Sequence, residues 1–222
     1  MSRDSLLRQL RVASNDASAL AKIVADGVPD DGLQHAGQAV LCCSSSTELG
    51  ATVTALIGSL SQRDWTGDPQ LTAELEHVRD ATTSALLLAV DLDDIGEALD
   101  QSPAIVSYID LANETLWPGE LFEIDQRPDD FDADDEDRWL PVVGGGSNAA
   151  YAVMERFIRT IDSPELASRL QAEISGSGAF RRFQAALSRH DEQYTRWHRF
   201  RDDARLGRAR AWLAERGYRS TR

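Results

Sequence analysis

The stretch Ser175-Gly176-Ser177-Gly178-Ala179-Phe180-Arg181-Arg182-Phe183 combines the residue types best suited to holding an anion. Gly176 and Gly178 allow a turn that presents free backbone N–H groups at a helix start, and Arg181 and Arg182 set positive charge beside them. Packing competes with that reading: glycines also let two helices meet closely, Phe180 and Phe183 suit a core, and the arginines can pair with acids. The basic run continues through Arg189, Arg196 and Arg201. Helix, glycine turn, helix also permits a helix-turn-helix reading, with residues 166–174 as first helix and 179–189 as the reader. A nucleotide-hydrolase phosphate loop is excluded, because GxxxxGK followed by Ser or Thr does not occur.

Other chemistries lack their usual residues. Seven of the nine residues from Asp129 to Asp137 are acidic, but the spacing misses the glycine and final glutamate of a calcium loop. The segment 125–137 therefore reads as a mobile, solvated loop, able to mimic nucleic acid toward a basic partner, including the chain's own C-terminal region. His190 and His198 are too far apart on one helix to chelate an ion, and His35 and His77 are isolated. The adjacent Cys42 and Cys43 read as two small apolar fillers of a helix rather than a disulfide or metal pair. No serine sits in a GxSxG elbow. The residues favour a protein that is not an enzyme, with no cofactor and no metal.

Charge is unevenly spread over the 222 residues. The net charge is −14, yet residues 180–222 hold twelve arginines against five carboxylates, a balance of +7 that leaves −21 on the rest. Such asymmetry fits a basic tail steering against the acidic part of the same chain or a second copy, or else a nucleic-acid surface. No apolar run approaches the ~20 residues that span a bilayer. The start MSRDSLLRQL lacks a signal-peptide core, so the cytoplasm is the expected location and no membrane partner is expected.

These residues need elements to position them. Three- and four-residue spacing predicts a helix over 4–25, a weaker one over 31–40, and a third with Leu49, Val53, Leu56, Ile57 and Leu60 on one face, capped from Ser45, Ser46 or Thr47. Past the turn Asp64-Trp65-Thr66-Gly67-Asp68, Pro69 starts a helix predicted to run to Leu88. Asp91 or Asp93 caps a short helix over 92–99. Alternation then predicts a hairpin from Val106 to Trp117, with Asn113 in the awkward turn position. Residues 138–142 suit a third edge strand, and Gly144-Gly145-Gly146 a hinge or linker. Helices are predicted from Asn148, from Ser163-Pro164, from Ala179, and in a long final segment that Gly217 ends. Trp197, Phe200 and Trp212 at helical spacing read as core, with Trp212 returning to Phe157 or Phe183.

The glycine turn with its arginines, followed by Trp197-His198-Arg199-Phe200-Arg201 and Ala211-Trp212-Leu213-Ala214-Glu215-Arg216-Gly217, resembles the hallmark pattern of uncharacterised protein family 0158 (UPF0158). Upstream, Asp91-Leu92-Asp93-Asp94-Ile95, the hairpin and Asp137-Arg138-Trp139-Leu140-Pro141 are similar too, so the resemblance spans about residues 90–217. Ser177 stands where the family often carries a basic residue, which weakens an anion site there. The resemblance implies a bacterial protein and brings no activity, cofactor or catalytic residue with it.

The sequence thus predicts a predominantly helical α+β protein in two regions. An N-terminal helical region covers 1–89; an α+β module covers 90–222, with the acidic loop at 125–137 and C-terminal helices at 148–217. The favoured role is a non-enzymatic cytoplasmic interaction or regulatory protein with a protein partner. A nucleic-acid binder using the arginine-rich helices is the first alternative, and a hydrolase or transferase with an unrecognised site the second. Self-association is compatible with all three.

Overall fold

Asp16 splits the helix that periodicity predicts over residues 4–25. In the computed structural model, which describes residues 3–43, 49–80 and 85–222, α1 spans Arg3–Val12 and α2 spans Ala17–Ala25. The Asp16 carboxylate accepts from the Ala19 N–H at 2.9 Å, a local bond that ends one helix and caps the next. A 3-10 turn at Asp30–Gly32 leads into α3 (Leu33–Cys42), and α4 (Gly50–Arg63) and α5 (Asp68–Arg79) complete a bundle around Leu20, Leu33, Val40, Leu56 and Leu71. The caps expected at Ser45, Ser46 and Thr47 lie outside the described residues. Cys43 joins this core, but Cys42 is exposed, its thiol facing the Thr221 carbonyl at 3.7 Å.

The fold is α+β and predominantly helical. Leu86–Leu88 forms β1, where the sequence predicts the end of a helix. It pairs in parallel with β5 (Tyr218–Ser220), whose partner register sets Leu88 beside Ser220. After α6 (Leu92–Asp100), which Asp91 caps through the Asp93 N–H, come β2 (Val106–Asp110) and β3 (Thr115–Trp117) as the expected hairpin. The left-handed turn residue is Glu114, at φ 52°, not Asn113; the Asn113 amide instead donates to Asp110 at 2.7 Å. A short α7 (Gly119–Glu123) precedes the acidic segment, and β4 (Trp139–Val143) then adds antiparallel to β2, giving the order β3-β2-β4. Ile109 and Val142 reach the core from this sheet and pack with Ile95 of α6.

Gly144-Gly145-Gly146 is a packed joint rather than a linker. A Cβ on Gly144 would lie 2.1 Å from the Gln101 carbonyl oxygen, and the N–H groups of Gly145 and Gly146 donate to the carbonyls of Leu99 and Gln101. Glycine serves close approach here. The joint leads into α8 (Gly146–Arg159), α9 (Pro164–Glu173), α10 (Ala179–Leu187) and the long α11 (Asp191–Ala214). Phe157, Phe183, Trp197 and Phe200 are all buried. Phe157 meets the other three edge to face, Phe183 and Trp197 do so with centroids 4.9 Å apart, and Trp197 and Phe200 are stacked, geometries aromatic quadrupoles favour. Trp212 does not return to that cluster. It packs with Leu88, Ile95 and Leu206 instead, under the Arg216 guanidinium at 4.0 Å.

Candidate functional site

Helix α11 touches most of the molecule: α1, α3, α5, α6, α8, α10 and β5 all pack against it. Its polar residues are not a solvated face. Asp202, Asp203 and Arg210 are buried, with Asp203 fully so. Arg63, from the end of α4, reaches Asp203 at 2.7 Å and Asp68 at 2.6 Å. Gln34 ties the set together: its N–H donates to Asp203 at 2.8 Å, its side-chain amide to Asp68 at 2.8 Å, and its carbonyl oxygen accepts from Arg210 at 3.0 Å. Arg210 also pairs with Glu74 and donates to Gln38. Buried charges survive only when paired and hydrogen-bonded, and this network meets that condition.

Burial and pairing pull these groups in different directions. Burial pushes the Asp203 carboxyl up to about 7, despite Arg63 and the Gln34 N–H. Burial likewise raises Glu74 and lowers Arg210, outweighing their mutual attraction. For Arg63 burial works against the charge, but Asp68 and Asp203 more than offset it and the pKa rises. Sequence reading misses these residues, because a mixed-charge helix looks like a surface helix. The turn Asp64-Trp65-Thr66-Gly67-Asp68 is the one signal: Trp65 meets Phe200 at 4.6 Å, Arg63 lies over the Trp65 ring, and Gly67 lies against Gly207 of α11.

The residues singled out in the basic region are dispersed. Gly176 and Gly178 take left-handed backbone, at φ 76° and 73°, in an exposed turn. The Arg182 guanidinium is committed to that turn, donating to the carbonyls of Glu173, Ser175 and Ser177. It thus closes the C-terminal end of α9. Arg181 in the first turn of α10 and Arg189 just past its end are exposed, at opposite ends of that helix. Arg196 donates to Gln193 and lies 5.5 Å from the Phe157 ring. Arg201 pairs with Asp202, Arg199 with Asp31, Arg205 with Glu97 and Asp100, and Arg208 with Asp100. The basic region therefore pairs with acids of its own chain, but none of those pairs involves residues 129–137.

The acidic segment is carried on the three-stranded sheet. Phe131 interrupts the acids and packs into an aromatic cluster, 4.8 Å from Tyr108, 4.7 Å from Phe122 and 5.0 Å from Trp139. Arg138 at its base bridges Asp110 and Asp130. That guanidinium, with help from Asn113, holds the Asp110 carboxyl down at about 2. So the segment is anchored at both Phe131 and Arg138, rather than the featureless loop its composition suggests. Asp129, Asp132, Asp134, Asp135, Glu136 and Asp137 are exposed, and no ion pair involves them among the described residues. No cluster of three or more His, Cys, Asp or Glu suited to a metal ion occurs among the described residues, and no helix among them is long and apolar enough to cross a membrane.

The fold is thus α+β and predominantly helical, with five arginines of α11 paired to acids of the same chain and six acids of the segment 129–137 exposed. The chain belongs to the uncharacterised protein family UPF0158, whose family model matches residues 81–221. It is similar to the UPF0158 protein PA5073 of Pseudomonas aeruginosa, at 23% identity over 133 residues, covering 58% of this chain and 83% of that relative. No solved structure matches at a significant level. The helices α1–α5 lie outside the matched region.

Proposed function

We propose that this protein is a non-enzymatic cytoplasmic interaction protein whose anchored acidic segment, 129–137, docks a basic surface of a protein partner. One observation carries the reading. Arg199, Arg201, Arg205, Arg208 and Arg210 of α11 pair with Asp31, Asp202, Glu97, Asp100 and Glu74, while six carboxylates of the segment face solvent without a basic partner among the described residues. Fixing Phe131 in the aromatic cluster presents those charges in place and lowers the ordering cost on docking. Displayed charge of one sign speeds encounter with the opposite sign and gives it salt dependence. Nucleic-acid binding has less to work with, because only Arg181 and Arg189 of the singled-out arginines are exposed.

The test is affinity capture with the intact chain and with a variant carrying Asp132→Asn, Asp134→Asn, Asp135→Asn and Asp137→Asn. Basic protein partners that resist nuclease, elute with salt and vanish with the variant are the expected result. Recovery of nucleic acid alone, lost on Arg181→Glu and Arg189→Glu, overturns the reading.

A further inference from the structure

A cavity of about 310 Å³ lies between α5, β5 and the C-terminal end of α11, just inside the roughly 300–1,000 Å³ of small-molecule sites. Glu74 of α5 lines it and is 8% exposed. The Glu74 Oε2 atom takes the Arg210 guanidinium. Its Oε1 atom has no hydrogen-bond partner among the described residues, and it is not fully enclosed, so it opens on the cavity that Glu74 lines. Carboxylates at this depth are ordinarily paired and hydrogen-bonded at both oxygens. One oxygen left open here calls for a donor from outside the chain.

Two further groups of the same wall stand ready for a ligand. Arg219 of β5, half-buried, lines the cavity and makes no ion pair among the described residues. His77, one turn beyond Glu74 on α5, holds its Nδ1 2.5 Å from the Ala73 carbonyl oxygen. That oxygen can only accept, so Nδ1 carries the proton and the neutral ring keeps Nε2 as an acceptor. Burial raises the Glu74 carboxyl, and Arg210, Arg219 and His77 pull it down. Arg219 therefore acts on Glu74 without closing on it. The rest of the wall is small and apolar: Ala73 and Ala214 line it, and Gly217 has nothing within 4 Å of an added Cβ.

These charges select the ligand. A simple anion on Arg219 would face Glu74, and a simple amine on Glu74 would face Arg219. A molecule with an ammonium and a carboxylate on neighbouring carbons meets each charge with its opposite. We propose that the cavity between α5, β5 and α11 binds a free α-amino acid, its ammonium on Glu74 Oε1 and His77 Nε2, its carboxylate on Arg219 and an aliphatic side chain against Ala73 and Ala214. Arg219 offers the planar fork that a carboxylate matches. Helix α5 precedes the family-matched region and β5 lies within it, so the ligand bridges the two parts of the chain. This site is separate from the acidic segment and does not depend on it.

L-Leucine is the probe, titrated calorimetrically into the full chain beside isocaproate, which lacks the ammonium, and isopentylamine, which lacks the carboxylate. Saturable heat with L-leucine is expected, with both analogues weaker by roughly ten- to a hundredfold, the range for losing a charged hydrogen bond. Arg219 has no ion pair to lose, so Arg219→Gln should melt like wild type without ligand and bind L-leucine no better than isopentylamine. Ala214→Phe, at an exposed position, should weaken L-leucine several-fold more than glycine. No saturable heat with L-leucine or glycine overturns the site. Equal L-leucine affinity in Arg219→Gln and wild type overturns the placement. Isocaproate or inorganic phosphate binding as tightly as L-leucine overturns the ligand class.

Discussion

Asp203 shows how a single side chain can couple the two ends of this sequence and set a pH dependence. Its carboxyl lies wholly buried between Arg63 and the Gln34 N–H, and burial raises its folded-state value from 3.8 to about 7. The unfolded chain gives up this proton near 3.8, while the folded chain keeps it until about 7. Between those values the folded state holds more protons, so the group's contribution is full below 3.8 and is lost as pH rises through 7. Asp110 works in the opposite sense: held near 2 by Arg138, its contribution is present above 3.8 and fades as pH falls. Asp203→Asn removes the titration and keeps one oxygen acceptor, for either the Gln34 N–H or Arg63, at a stability cost that does not vary with pH. Urea unfolding from pH 4 to 8 should show wild type losing stability across that window relative to Asp203→Asn. Parallel pH profiles for the two proteins would exclude this role for Asp203.

Elements in this fold meet where glycine removes a side chain, and the turn between α4 and α5 meets α11 as tightly as Gly144 meets Gln101. A Cβ on Gly207 of α11 would lie 2.1 Å from the Thr66 carbonyl oxygen, and one on Gly67, at φ 88°, would lie 2.2 Å from the Gly207 oxygen. Gly207→Ala must therefore push α11 from the turn, and overpacking of this kind costs about 1–3 kcal/mol. Gly58 in α4 has nothing within 4 Å of an added Cβ, so Gly58→Ala should instead stabilise by about 0.5–1 kcal/mol. Chemical denaturation of the two variants measures both signs, and a neutral Gly207→Ala would show that the turn does not press on the helix. The same distinction bounds what sequence can reveal. Leu6, Leu20, Val53 and Leu71 announce their helices by period, and Ser163-Pro164 announces a start. Gly144–Gly146 reads equally well as freedom or as close approach, and only the neighbouring Gln101 carbonyl decides. Leu86–Leu88 is three apolar residues with no period of its own, and its partner β5 lies 130 residues away.

At the scale of the whole molecule, the family match and the packing divide the chain differently. The family model begins at residue 81, whereas the buried polar network runs across that boundary. Arg210, 1% exposed, pairs with Glu74, Gln34 and Gln38; Asp203 pairs with Arg63; and Arg199 pairs with Asp31. Removing residues 1–80 would strip each of these α11 groups of those partners at once. A buried pair broken on one side costs about 3–5 kcal/mol, and a whole domain holds only about 5–15 kcal/mol of stability. Separating the two parts would also expose the faces of α3 and α5 that pack on α11. The fragment 81–222 alone should therefore lack a cooperative thermal transition, and mixing it with fragment 1–80 should restore one and let the two copurify. A sharp melt of 81–222 by itself, near the midpoint of the full chain, would mean that α11 can satisfy Asp203 and Arg210 without the N-terminal helices. The family region would then fold independently, with α1–α5 an addition to it rather than part of its core.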